Sequence, residues 1–242
     1  MRIPRFYDPQ PLSLGSEISL CDEVVQHVSR ALRMRPGEMI ILFNGDGFEY
    51  QAQLTNVEKR KASAHISEQT DPKTESSLQV SIGQTLSRGE RMDYAIQKST
   101  ETGVCQITPL FSERCEVKLP PDRQEKRVKH WQQIAISACE QSGRVAPPEI
   151  QLPETLEQWI KAQDAELKLV LHHHSEQPLQ KIDPPSSVAL LIGPEGGLTT
   201  QEVELAVENG FKPLALGPRV MRTETAPVAA LTLLNYLWGD LS

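Results

Sequence analysis

The sequence predicts an α/β protein in which a mainly parallel sheet follows a smaller, β-rich N-terminal domain. Short apolar runs alternate with helical patterns from residue 78 onwards, and hairpin turn residues concentrate before residue 72. The polar stretch "EQTDPKTESS" at residues 68–77 separates the two patterns. Alternating strands and helices are typical of α/β folds, and polar segments with proline are typical of linkers. We therefore expect a small β-barrel over residues 1–72 and an α/β domain over residues 73–242.

The N-terminal region carries a strong hairpin signal. The apolar run "EMIILF" leads through "NGDG" into "FEYQAQL", and "ASAHIS" follows as a further strand. Asn-Gly and Asp-Gly favour the positive φ angles of tight hairpin turns. One helix is expected over residues 22–33, with an apolar side and a polar side that carries Gln26, Arg30 and Arg33.

The second region reads as strands and helices in turn. We expect strands at "LQVSIGQTL", "VCQITPLF", "LKLVLH", "VALLIG" and "KPLALG". A helix over "RGERMDYAIQKSTETG" should end at Gly103, and a long helix is expected over "DRQEKRVKHWQQIAISACEQSG". Thr199 and Glu202 form a capping-box pair that opens another helix, which Gly210 closes. The very apolar "TETAPVAALTLLNYLWG" predicts the last helix, because Pro227 is tolerated in a first turn.

Two glycine-rich junctions between strand and loop predict a ligand site. They are "LLIGPEGG" and "LALGPRVMRTETA", and "LVLHHHSE" is a weaker third. In open α/β sheets, ligands bind beyond the carboxyl ends of the strands. The segment from Val188 to Gln201 has no lysine or arginine and carries Glu195 in its middle, whereas a phosphate loop needs cationic help. The pattern favours an adenosine with an uncharged linker, and the alternative is that these glycines only form tight turns.

These two motifs resemble one family of SPOUT methyltransferases, which methylates N3 of a uridine in 16S ribosomal RNA. The likeness extends to "MRIPRFY", "HVSRALRMRPGE", "MDYAIQKSTETGV", "ITPLFSERCEVK" and "WQQIAISACEQSGR", and so covers nearly the whole chain. The resemblance implies a PUA-like β-barrel followed by a SPOUT α/β domain with a C-terminal trefoil knot. It also implies S-adenosyl-L-methionine as cofactor, a homodimer, and 16S ribosomal RNA or the small ribosomal subunit as partner. Ordinary connection rules argue against a knot, so the knot is implied by the resemblance alone.

The resemblance assigns the cofactor pocket to residues on three loops, namely Leu171, His172, Ile192, Gly193, Glu195, Gly196, Leu216, Gly217, Val220, Met221 and Arg222. For methyl transfer to uridine N3, the N3 proton must leave, because the neutral imide nitrogen has no available lone pair. A fixed cation beside the base oxygens would stabilise the developing anion. Arg222 is the candidate cation, and Glu224 is a candidate base or orienting group.

Several arginines near the N-terminus are candidates for RNA contact. They are Arg2, Arg5, Arg30 and Arg33. The guanidinium fork suits phosphate oxygens, and the alternative is that these side chains form solubilising ion pairs. The whole chain has a net charge of −7, so only a local basic face would attract RNA.

Other classes of site and location are disfavoured. No cysteine or carboxylate spacing completes a metal site around His172, His173 and His174, so we expect no metal. The four scattered cysteines are typical of a reducing cytosol. With no apolar membrane segment or signal peptide, a cytoplasmic protein is expected.

Three functional hypotheses remain at this point. The first is an RNA methyltransferase, and the second is a non-catalytic ribosome-assembly factor that binds RNA through the barrel. The third is a small-molecule enzyme that uses an adenine nucleotide. Binding of S-adenosylmethionine rather than ATP would distinguish among them.

Overall fold

The computed structural model describes residues 3–172, 179 and 182–241. The chain divides into two units. The first comprises Met1–Glu75 and Cys139–Pro147, and the second comprises Ser76–Ala138 and Pro148–Ser242. The predicted boundary after residue 72 stays a prediction.

The first unit is built on a five-stranded sheet. Its strands run in the order β1-β3-β4-β5-β2, and they are β1 (Arg5–Tyr7), β2 (Glu17–Ser19), β3 (Met39–Phe43), β4 (Glu49–Val57) and β5 (Ala62–Thr70). The predicted hairpin is confirmed, because β3 and β4 pair antiparallel with Met39 opposite Gln53. Gly45 and Gly47 both have φ 94° in the connecting turn, a conformation that glycine adopts without steric cost.

The predicted helix over residues 22–33 is shorter than expected. Helix α1 (Asp22–Gln26) continues as a π-helical turn over His27–Ala31. Arg33 lies beyond this turn with φ 52°, so Arg30 and Arg33 do not share a helix face. The predicted linker also begins later than expected, because β5 reaches Thr70 and pairs it with Glu49.

The segment Cys139–Pro147 packs within the first unit although it is distant in sequence. Phe43, Cys139 and Val145 form one fully buried cluster. The Glu75 carboxylate accepts hydrogen bonds from the Arg144 guanidinium, at 2.7 Å from Nη2, and from the backbone amide of Val145 at 2.8 Å. Hydrogen bonds of this charged type are stronger than neutral ones, so Glu75 fixes the segment in place.

The second unit contains a seven-stranded sheet in which every described pairing is parallel. The strand order is β12-β10-β11-β6-β7-β8, and β9 pairs with β7. The strands are β6 (Gln79–Thr85), β7 (Gln106–Phe111), β8 (Glu149–Ile150), β9 (Glu154–Thr155), β10 (Leu167–Leu171), β11 (Ser187–Ile192) and β12 (Lys212–Leu214). Their side chains build apolar clusters, as expected for a sheet that is covered on both faces.

Five helices lie wholly or mostly in the described part of the second unit. They are α2 (Glu90–Glu101), α3 (Pro121–Ser142), α4 (Leu156–Ala162), α5 (Thr200–Glu208) and α6 (Ala226–Trp238). The last turn of α3 belongs to the first unit. The Thr199–Glu202 capping box is confirmed at the start of α5. Gly103 follows α2 with φ 93°, as expected for a helix terminus that needs a left-handed residue.

Some elements differ from the sequence prediction. Strand β12 ends at Leu214, three residues before the end of "KPLALG", because its pairing with β10 stops there. Helix α4 was not predicted, although a capping box between Thr155 and Gln158 opens it. Strands β8 and β9 have two residues each, which is too short for a periodic signal. Among the described residues, no helix is long and apolar enough to cross a membrane.

Candidate active site

A cavity of about 550 Å³ opens at the carboxyl ends of β10, β11 and β12. The loop after β11 forms one wall and the loop after β12 forms another. The structure places every cofactor-site residue predicted from the sequence on the lining of this cavity, together with Glu224, and these residues are Leu171, His172, Ile192, Gly193, Glu195, Gly196, Leu216, Gly217, Val220, Met221 and Arg222. The carboxyl-end location follows from the parallel sheet.

A buried hydroxyl links the two loops. Thr223 Oγ1 donates to the Gly193 carbonyl oxygen at 2.9 Å and accepts from Gln84 Nε2 at 3.1 Å. Beside it, Thr85 Oγ1 donates to the Ile192 carbonyl oxygen at 2.8 Å. Because Gln84 and Thr85 end β6 and Thr223 precedes α6, these bonds hold both glycine-rich loops to the sheet. None of these polar contacts was predicted from the sequence.

We expect Thr223→Val to lower the free energy of unfolding by about 1–3 kcal/mol, because it removes the hydroxyl that bonds the buried Gly193 carbonyl and leaves the Gln84 amide with only its bond to the Thr85 carbonyl. Thr223→Ser retains the hydroxyl and serves as the matched control. Urea denaturation of the two variants and the wild type measures the difference. Equal stability of the valine and serine variants would contradict the linking role.

Arginines from outside the glycine-rich motifs also line the cavity. Arg91 Nη1 pairs with Glu195 Oε1 at 2.8 Å, and Arg114 Nη1 donates to the Gly196 carbonyl oxygen at 3.0 Å. Arg219 and Arg222 lie on the opposite loop. The absence of lysine and arginine between Val188 and Gln201 therefore does not extend to the cavity as a whole. Arginines that are distant in sequence supply the charge that the loop itself lacks.

The side chains of Arg222 and Glu224 differ in exposure. Arg222 is 79% exposed, Glu224 is 14% exposed, and Arg222 Nη1 lies 4.0 Å from Glu224 Oε1. The Arg222 backbone is fixed, because its carbonyl accepts from the amides of Thr225 and Ala226 at 2.9 and 3.0 Å. A contact of 4.0 Å to so exposed a cation contributes little. Arg222 is thus anchored by its backbone, and its guanidinium extends into solvent at the cavity.

Known proteins match this chain along its full length. The model of the RNA methyltransferase domain matches residues 74–235, and that of the RNA methyltransferase PUA domain matches residues 20–67. The chain belongs to this RNA methyltransferase family. A ribosomal RNA small subunit methyltransferase E from Buchnera aphidicola is 36% identical and covers 100% of this chain and 99% of its own. The Bacillus subtilis protein of that name is 33% identical, covering 94% and 93%.

Solved structures of methyltransferases also match this chain along its full length. The ribosomal RNA small subunit methyltransferase E from Neisseria gonorrhoeae, bound to S-adenosylmethionine, is 42% identical with a TM-score of 0.94. A Legionella pneumophila protein in complex with the cofactor SAM is also 42% identical, with a TM-score of 0.95. Each covers 100% of both chains.

The arginines predicted to contact RNA are placed very differently in this methyltransferase. Arg2 lies outside the described residues. Arg5 is 7% exposed, is ion-paired with Glu49 and donates to the Gly143 carbonyl oxygen at 3.0 Å. This burial argues against a phosphate contact by Arg5. Arg30 and Arg33 are both exposed.

In the described parts of this methyltransferase, few observations favour a metal site or a nucleophilic thiol. Residues 3–172, 179 and 182–241 contain no group of three or more potential metal ligands, and His173 and His174 lie outside them. The cysteines are free thiols. Burial raises the pKa of Cys21 to about 11 and that of Cys139 to about 12, and it also raises the pKa of Cys115. These three thiols therefore stay protonated near neutral pH and are poor nucleophiles.

Proposed function

We propose that this chain transfers a methyl group from S-adenosylmethionine to N3 of a uridine in 16S ribosomal RNA of the small ribosomal subunit. The observation that carries this proposal is the full-length match to two proteins solved with bound S-adenosylmethionine. The alternative, a non-catalytic assembly factor, has no comparable support.

The cavity of this chain suits S-adenosylmethionine. Its volume of about 550 Å³ lies within the range of small-molecule sites. Apolar walls for an adenosine come from Leu171, Ile192, Leu216, Val220 and Met221. When bound, S-adenosylmethionine supplies a methyl group on a positively charged sulfur, which becomes a neutral thioether as the methyl leaves.

The role of Arg222 follows from the chemistry of the uridine. The N3–H bond must break before the nitrogen lone pair is available, and the resulting negative charge spreads onto the neighbouring carbonyl oxygens. Arg222 is positively charged at any working pH, and its fork suits these oxygens. A preorganised cation of this kind stabilises charge that develops in the transition state.

Glu224 is the second residue proposed to act on the substrate. Its Oε2 is buried and has no hydrogen-bond partner among the described residues. Such an oxygen has unused capacity to accept a hydrogen bond. We assign Glu224 to orient the base or to take up its proton.

The N-terminal PUA domain is proposed to hold the RNA. Arg30 and Arg33 support this role because they are exposed. Closure of its sheet into a barrel and a trefoil knot in the second unit both rest on the family resemblance. The free thiols support a cytoplasmic location.

A homodimer is also proposed. The family resemblance carries this proposal, and Tyr236 on α6, which is 62% exposed, leaves apolar side-chain surface available on that helix. Light scattering at micromolar concentration should give twice the 27.0 kDa mass of one chain. A mass of 27.0 kDa would contradict the dimer.

The function itself is tested in two steps. Calorimetric titration should detect binding of S-adenosylmethionine and no comparable binding of ATP. Small ribosomal subunits are then incubated with enzyme and cofactor, and the digested RNA is examined by mass spectrometry for N3-methyluridine. ATP binding alone would indicate a small-molecule enzyme, and cofactor binding without methylated uridine would contradict the proposed substrate.

A further inference from the structure

A second cavity, of about 750 Å³, lies beside the first in the same unit. Arg91, Arg114, Glu195 and Gly196 line both cavities. The second cavity has further lining residues of its own, namely Arg88, Gly89, Glu113, Cys115 and Glu116. The wall between the two cavities is therefore formed by the glycine-rich loop and by the two arginines that bond to it.

The parallel sheet brings the three arginines together. Arg88 and Arg91 follow β6, and Arg114 follows the neighbouring strand β7. Because the carboxyl ends of parallel strands meet at one edge of a sheet, these side chains converge on the second cavity. Two segments more than twenty residues apart in sequence thus bring three arginines to one cavity, whose lining also carries the carboxylates of Glu113, Glu116 and Glu195.

Every one of these arginines holds a partner that an anion is able to replace. Arg88 Nη2 pairs with Glu116 Oε2 at 2.7 Å, with side chains 69% and 72% exposed. Arg91 pairs with Glu195, which is also solvent-exposed. Arg114 donates to the Gly196 carbonyl oxygen, which carries no formal charge. Exposed ion pairs contribute little to stability, so exchanging them for a phosphate costs little.

We propose that this second cavity binds the phosphates of the RNA strand next to the target nucleotide, through Arg88, Arg91 and Arg114. The inference rests on the proposed function, because it needs the target base to enter the first cavity. A nucleotide with its base there must place its backbone beside that cavity, where the three arginines lie. Arginine forks bind phosphate oxygens in pairs. Glu116 and Glu195 are the counterions that the phosphates replace.

Arg88→Gln is the decisive variant, because Arg88 lines the second cavity but not the first. We measure the affinity for a short, uridine-containing single-stranded RNA over a range of salt concentrations. One lost phosphate contact lowers the slope of log K against log salt by about 0.7, which is roughly fivefold in affinity at 0.1 M salt. For small ribosomal subunits, we expect KM to rise and kcat to stay near the wild-type value.

Two controls separate a phosphate contact from a general effect. Arg88→Lys keeps the charge and should keep most of the slope. Lys161→Gln removes another exposed, ion-paired cation, the partner of Glu157 on α4, and should leave the slope unchanged. The affinity for S-adenosylmethionine, measured by calorimetry, should be the same in all three variants and the wild type.

The outcomes distinguish this proposal from the proposed function. If the wild type methylates small ribosomal subunits but Arg88→Gln and Arg88→Gln/Arg114→Gln both keep the wild-type slope, the phosphate site is wrong and the function stands. If Arg88→Gln flattens the slope but the wild type transfers no methyl group, the function is wrong, and the second cavity binds RNA phosphates without a target nucleotide beside it. A loss of slope in Lys161→Gln equal to that in Arg88→Gln would also overturn the site.

Discussion

Replacing Arg222 by alanine is expected to lower the rate of methyl transfer by about 10²–10³-fold, the usual scale for losing one transition-state donor. The structure favours a direct role because the Arg222 side chain is 79% exposed at the cavity and its guanidinium lies 4.0 Å from Glu224 Oε1. A residue that only stabilises the loop would be held more tightly. Single-turnover rates with saturating cofactor measure the effect, and affinities for cofactor and RNA should change much less.

Arg222→Lys and a pH series complete this test. Lysine keeps the charge and loses the fork, so its rate should lie between those of the wild type and the alanine variant. The free uridine imide ionises above neutral pH, so raising the pH should partly restore the alanine variant. A large loss of cofactor binding, with a near-normal rate at saturating cofactor, would show that Arg222 only supports the loop.

Gly193→Ala is expected to weaken binding of S-adenosylmethionine by about 10–100-fold. A Cβ atom at Gly193 would lie 2.9 Å from Leu198 Cγ and 3.2 Å from the Leu198 amide nitrogen. The loop after β11 must therefore shift, and it forms one wall of the cavity. Overpacking of this kind costs about 1–3 kcal/mol. When this strain is present in the cofactor-bound state, it corresponds to the expected loss of affinity of about 10–100-fold. Calorimetry measures the affinity.

Gly196→Ala is the matched control in the same loop. Among the described residues, its Cβ would meet Arg114 alone, at 3.6 Å, which is an ordinary contact, so the affinity for the cofactor should fall far less. Thermal melting of both variants checks that they fold. Equal loss of affinity in the two variants would indicate that added bulk acts on the ligand directly and that the approach of Leu198 is irrelevant.

Many strands and helix ends of the second unit were predictable because apolar runs, capping residues and glycines in the sequence agreed with the fold. The Thr199–Glu202 capping box and Gly103 mark helix ends through contacts that lie within a few residues. The position of Arg5 was not predictable, because its burial depends on Glu49 and Gly143, which are distant in sequence. The π-helical turn before Arg33 likewise has no periodic signature of its own.

The candidate site was likewise predictable only where its features depend on residues that are close in sequence. Glycine-rich loops identified the cavity because backbone conformation is a local requirement. Arg91 and Arg114 lie at the cavity because the strands that precede them are neighbours in the sheet. The spacing of residues along the sequence does not specify which strands are neighbours. The hydroxyl of Thr223 was overlooked for a similar reason, since its partner Gln84 is 139 residues away.

The packing of Cys139–Pro147 within the first unit sets an order of events during synthesis. A nascent chain that has reached only residue 75 lacks Cys139 and Val145, which cover Phe43, and lacks Arg144, which neutralises Glu75. N-terminal domains generally fold first as the chain emerges from the ribosome. Here the N-terminal unit waits for a segment that follows most of α3, so its last apolar side chains stay uncovered until more than half of the protein has been made.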